Sequence, residues 1–207
     1  MLTVWGRSNS SNVKKVLWTL EELELDYKNI ELGGSFGGNR DEEYLAINPN
    51  GLVPTLQDGN FSLWESNTIV RYLCTNYQTN HLYIENIQKR FQAEKWMDWS
   101  SSVLLKPFPV ILQNKVRLPK EQRDPIALDK AIQQFENGLD ILNQELLKNS
   151  WISGDKFSIG DIATGVFVYY YYELKLSNEQ KFPYVEKWYK KLSERPAYRK
   201  VVMTPIT

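Results

Sequence analysis

The chain has 207 residues, 42% of them hydrophobic and 24% charged, with 25 Lys+Arg balanced by 25 Asp+Glu. This is the composition of one or two folded domains, and its charge balance points to neither a nucleic-acid nor a membrane surface. A single cysteine (Cys74) and a single histidine (His81) exclude an internal disulfide, a Cys-x-x-Cys motif and a histidine-rich metal site; with no run of about 18 apolar residues and no signal peptide, a cytoplasmic location is expected.

Leu2-Thr3-Val4-Trp5 reads as a short strand. Gly6 to Asn12 is a polar loop rich in capping residues, and Val13, Val16, Leu17, Leu20 and Leu23 then recur at helical spacing, with Lys14 and Lys15 largely off that face. Tyr27 to Leu32 is a second strand candidate. Strand, helix, strand predicts a βαβ unit whose first loop lies at the carboxyl edge of the sheet, where open α/β sheets bind ligands. Ser10, Ser11 and Asn12 are hydrogen-bond donors at a helix N-terminus, the setting that turns a bound thiol into a better nucleophile. Read alone, the same residues are an N-cap with spare polar neighbours. Gly33 to Gly38 is a flexible stretch without the spacing of a phosphate loop, and its Phe36 is a candidate apolar lid. Asp41 to Ile47 fits one short helix.

Asn48-Pro49-Asn50-Gly51 is a turn. Val53-Pro54 follows it at the head of a strand, and Asp58-Gly59 signals a hairpin. A cis Val53–Pro54 bond fits this position and would turn the backbone N–H and C=O of Val53 outward, free to pair with a peptide-like ligand. Glu65 and Ser66 then stand at a strand-to-helix junction, ahead of Ile69, Val70, Leu73 and Tyr77. Free amides at a helix start attract a carboxylate, a serine hydroxyl donates to one, and a glutamate accepts from an ammonium, so the pair suits an α-amino acid head group. Alone, it is also ordinary helix capping.

Tyr77 to Glu85 lacks periodicity and is the expected linker. The remainder reads as helix: one beginning near Ile87 and carrying Phe91, Trp96, Trp99, Val103 and Leu104, interrupted by Pro107 and Pro109, and a second from Pro125 to Asn149 with Glu136 and Asp140 facing solvent. Phe157-Ser158-Ile159-Gly160-Asp161-Ile162 carries a capping-box variant. Tyr169 to Tyr172 point all round the next helix, and Pro183 to Lys191 is a further one. Residues 1–78 hold 6 Lys+Arg against 10 Asp+Glu, and residues 79–207 hold 19 against 15; the change of sign marks a boundary.

Val53-Pro54-Thr55-Leu56, a hairpin, then Glu65-Ser66 opening a helix resembles the glutathione-binding half of the glutathione S-transferase family, and the likeness extends over essentially the whole chain. It implies an α/β thioredoxin-like N-terminal domain (βαβ-α-ββα, residues 1–78), a linker (79–86) and an all-α C-terminal domain (87–207). It implies glutathione as co-substrate, no metal, a small hydrophobic electrophile, and a homodimer. Val53 beside a cis Pro54 would hold the cysteinyl part, and Glu65 and Ser66 the γ-glutamyl head. Ser10 falls at the position of the serine-type classes and Asn12 where some bacterial members carry asparagine, with Ser11 and Ser8 as alternatives. The loop has no tyrosine or cysteine of the other classes. Gly51 stands where several members carry a side chain that contacts glutathione, which removes one expected contact. Phe36, Trp99 and Phe108 are candidates for the electrophile site, in a cleft expected to be lined from both domains. Asp161 is assigned to folding. A glutathione-dependent reductase or peroxidase and a non-catalytic binding protein are the alternative activities.

Overall fold

The computed structural model describes residues 1–77, 82 and 84–207. His81 and much of the expected linker lie outside the described residues. The chain divides into two compact units, residues 1–84 with 197–204, and residues 85–196 with 205–207.

The first unit is built on a four-stranded sheet of order β2-β1-β3-β4. β1 (Leu2–Trp5) pairs in parallel with β2 (Tyr27–Ile30) and antiparallel with β3 (Thr55–Asp58), which pairs antiparallel with β4 (Phe61–Trp64). A parallel β1–β2 pair demands a crossover, and α1 (Ser11–Glu22) supplies it. The short α2 (Glu42–Ile47) precedes β3, and α3 (Ser66–Tyr77) follows β4 and packs on α1. Val4 and Leu56 of the sheet and Val13, Val16, Leu17, Leu20, Ile69, Val70 and Leu73 of the two helices are buried together as the unit's core. This is the expected βαβ-α-ββα order.

Two expectations change here. Lys14 and Lys15 do not face solvent: both are fully buried. The segment 197–204, read from sequence as part of the helical domain, belongs to the first unit instead. For Lys14 the two facts share a cause, because that segment covers its side of α1. The Lys14 ammonium donates to the Val202 carbonyl at 2.8 Å. Trp18 packs edge-on against Tyr198, ring centroids 4.7 Å apart, and Lys200 pairs with Glu21 at 2.7 Å.

The second unit is helical: α4 (Ile87–Trp99), α5 (Phe108–Leu112), α6 (Pro125–Lys148), α7 (Ile159–Glu173) and α8 (Pro183–Glu194). The last helix, α9 (Pro196–Val201), runs into the segment assigned to the first unit. The long helix read through Leu104 ends earlier, as a π-helical turn at Ser100–Leu104, and a second π turn follows α5 at Gln113–Arg117. α7 is buried on nearly every side, so Tyr169, Tyr170 and Tyr171 are all interior and only Tyr172 is half-exposed. Glu136 is also interior, contrary to the solvent-facing reading; Lys181 at 3.0 Å and the Tyr171 hydroxyl at 2.9 Å neutralise and satisfy it.

Asp161 joins three parts of this unit. Its carboxylate accepts from the Ile152 amide (3.1 Å), the Ser158 amide and hydroxyl (both 2.9 Å) and the Trp188 indole (2.9 Å). Burial pushes its pKa up to about 6, against the pull of these donors. Asp161→Ala orphans buried donors on two loops and a helix, so it should lower unfolding free energy by about 3 kcal/mol or more in urea titrations; a loss below about 1 kcal/mol would contradict this role.

Burial lowers both lysines of α1 from an ordinary 10.5 to about 8. Above about pH 8 the native protein therefore binds fewer protons than the unfolded chain, so this contribution to stability rises with pH. Cys74, pushed up to about 12 by burial, offsets part of that rise from about pH 8.5, where an unfolded thiol ionises, and Tyr27 and Tyr171, shifted upward by burial and by carboxylate partners, oppose it above about pH 10, where unfolded tyrosines ionise. The urea midpoint should thus climb between about pH 8 and about pH 10, and less steeply in Lys15→Met. A flat profile in the parent chain would refute the assignment.

Candidate functional site

Three segments of the first unit meet at the carboxyl end of β1. Gly6 makes the meeting possible: a Cβ there would lie 2.6 Å from Val13 and 3.1 Å from Val53. The Val53–Pro54 peptide is cis. A buried polar cluster holds the backbone on either side of it. The Tyr44 hydroxyl donates to the Leu52 carbonyl (2.6 Å) and shares a hydrogen bond with the Thr55 hydroxyl (2.8 Å). The Asn48 amide donates to the same two groups, at 2.8 and 3.0 Å. β pairing begins only at Thr55, opposite Trp5. The backbone N–H and C=O of Val53 make no hydrogen bond among the described residues.

β4 then delivers Glu65 to the same place. Glu65 has φ +72°, a conformation L-residues adopt rarely, and its carbonyl accepts the first intrahelical bond of α3 from Ile69. Non-glycine residues held this way concentrate at ligand sites, where the surrounding structure imposes them. The Ser66 hydroxyl reaches Asn12 Oδ1 at a long 3.4 Å, linking the starts of α3 and α1. Buried Lys15 of α1 lies within the electrostatic reach of Glu65, whose charge counteracts the lowering of its pKa by burial.

A cavity of about 100 Å³ lies among these groups, lined by Asn12, Asn48, Asn50, Leu52, Val53, Pro54, Trp64, Glu65 and Ser66. Chemically it offers a free peptide edge at Val53, amide donors at a helix start, and one carboxylate. Those are the complements of an extended peptide bearing an α-amino acid end. Of the residues expected from sequence, the structure gathers Asn12, Val53, Pro54, Glu65 and Ser66. Ser10 is the N-cap of α1; it is largely buried, its hydroxyl makes no cap hydrogen bond, and it does not line the cavity. Ser11 is half-buried in the first turn, and Ser8 is exposed, with its amide on the Glu31 carboxylate at 3.0 Å.

Of the apolar candidates, Phe36 stands 56% exposed on a 3₁₀ turn (Gly34–Phe36). Trp99 is half-buried against Trp96, ring centroids 5.0 Å apart. Phe108 is buried, edge-on to both Phe167 and Tyr170, so its ring is spent on the packing of the second unit.

Sequence reading passed over Arg40, Asn48, Asn50 and Trp64. Asn48 and Asn50 looked like turn residues only, and nothing in the sequence ties them to Leu52. Arg40 matters because of Gly51. A Cβ on Gly51 would lie 2.7 Å from the Arg40 guanidinium, which also donates to the Asn50 carbonyl at 3.3 Å. The arginine therefore occupies the space that a side chain at position 51 would fill, and it makes no ion pair among the described residues. Among those residues no group of three or more His, Cys, Asp or Glu is placed to hold a metal ion, and no helix is long and apolar enough to cross a membrane.

Family models for the N-terminal and C-terminal domains of glutathione S-transferases match residues 1–75 and 97–196. The chain is 48% identical to glutathione S-transferase GstB of Escherichia coli K12, with both chains covered in full. It is 28% identical to glutathione S-transferase F10 of Arabidopsis thaliana, over 97% of this chain and 96% of the relative. Among solved structures, the theta class glutathione S-transferase of Xanthomonas axonopodis pv. citri with glutathione bound superposes with a TM-score of 0.95 at 42% identity, covering 100% of this chain and 99% of that one. The transferase URE2P6 of Phanerochaete chrysosporium, in complex with oxidized glutathione, gives 0.87 at 28% identity over 97% and 94%.

Proposed function

Since this chain belongs to the glutathione S-transferase family, we propose that it binds glutathione in the cavity beside Val53 and activates its thiol for attack on a small hydrophobic electrophile. The observation that carries this reading is the unpaired backbone of Val53, held open next to Glu65 and the start of α3. The cysteinyl unit of glutathione pairs with that peptide edge. Its γ-glutamyl ammonium meets Glu65, and its α-carboxylate meets the Ser66 hydroxyl and the first amides of α3. Arg40 takes the glycyl carboxylate in place of the side chain that Gly51 lacks.

The sulfur then comes to the start of α1. A thiol of pKa about 8.5 is mostly protonated at neutral pH. A hydroxyl or amide donor and the positive end of α1 favour its thiolate. Ser10 is the first donor, because its hydroxyl is not committed to capping, and Asn12 is the second, already tied to Ser66. The thiolate forms the new bond to the electrophile as the leaving group departs with its electron pair. Phe36, exposed in the same unit as the glutathione cavity, is the apolar group proposed to meet the electrophile.

A homodimer fits the exposed aromatic residues of β4. Phe61 and Trp64 are 47% and 39% exposed on an edge strand, a surface that invites pairing unless covered. A cytoplasmic location suits a chain whose one cysteine is buried and free.

Glu65→Ala should abolish retention on immobilised glutathione, and Arg40→Ala should raise the KM for glutathione about 10- to 150-fold while sparing kcat, as expected for one charged hydrogen bond. Full retention of Glu65→Ala would refute the head-group assignment. Ser10→Ala should raise the pKa of the bound thiol by about 1–2 units, followed by thiolate absorbance against pH. A shift in Asn12→Ala alone would move the role of thiol partner to Asn12.

A further inference from the structure

The first unit contains a second cavity, of about 280 Å³, that shares no lining residue with the one beside Val53. Trp5 of β1, Tyr44 and Ile47 of α2, and Leu32 give it an aromatic and aliphatic wall. The two rings stand 6.3 Å apart and are tilted by 50°. Their polar atoms are already engaged: the Trp5 indole donates to Gln57, and the Tyr44 hydroxyl is bound to Leu52 and Thr55. The half-buried Trp5 ring therefore offers π surface with no hydrogen-bonding demand, and the buried Tyr44 ring backs it.

Asp41 and Glu43 complete the lining. Both are exposed, and neither carboxylate makes a hydrogen bond or ion pair among the described residues. Asp41 occupies the N-cap position of α2 without capping it. No lysine or arginine lines the cavity. A half-buried tryptophan ring, aliphatic side chains and two uncommitted carboxylates around one concavity complement a cation with an apolar body. The volume approaches the low end of small-molecule sites, about 300 Å³.

We propose that this cavity binds a small organic cation, a protonated or quaternary amine carrying an apolar group, at a site separate from that of glutathione. Its apolar group lies against Trp5 and Ile47, and its charge faces Asp41 and Glu43. Tyr44 of this cavity bonds the carbonyl of Leu52, which lines the other, so the two sites are linked but share no lining residue.

Isothermal titration of the full chain with benzyltrimethylammonium tests the idea. Saturable binding is expected, none with benzoate of similar size, and little change when glutathione is saturating. Asp41→Asn combined with Glu43→Gln should weaken binding at least fivefold; each single change should weaken it less, while Glu42→Gln, at an exposed position outside the cavity, should leave it unaltered. Both targets are exposed and uncommitted, so circular dichroism should show the fold intact. Absent binding, equal binding of benzoate, indifference to the double substitution, or displacement by glutathione would each overturn the proposal.

Discussion

The Leu52 carbonyl and the Thr55 hydroxyl are each satisfied twice, by Tyr44 and by Asn48. Thr55 and Tyr44 are almost completely buried, so breaking this cluster would strand polar groups away from water. The cluster fixes the chain on both sides of Val53 while leaving Val53 itself unpaired. Everything proposed for glutathione depends on that difference. Were the loop free to relax, Val53 would find an internal partner and the peptide edge would close.

The sequence speaks clearly where a residue's role is local. Val53-Pro54, the hairpin and Glu65-Ser66 stand in a short window, and turn and capping chemistry make them readable in order. The Ser158–Asp161 box is legible for the same reason. Roles that depend on distant chain were not legible. Lys14 and Lys15 have the chemistry of a solvated helix face, yet both are buried, and Lys14 is covered by a segment 188 residues away. Glu136 reads as exposed until Lys181 and Tyr171, from other helices, are brought to it. Arg40 escaped notice because its relevance arises from a vacancy at Gly51, and a missing side chain gives no signal in periodicity.

The helical unit obeys the same rule of shared satisfaction. Asp161 is costly to bury, yet it gathers donors from Ile152, Ser158 and Trp188 and so joins two loops to a helix. The four donors meet Asp161 in the first turn of α7, the helix that carries the buried Tyr169, Tyr170 and Tyr171.

The tether between Lys14 and Val202 bears on how the molecule is made. Translation releases α1 early, but the carbonyl that receives its buried ammonium emerges 188 residues later. Until then a lysine and the edge of Trp18 lack their native cover, so the packing of the leading unit is completed only after the helical unit has been synthesised.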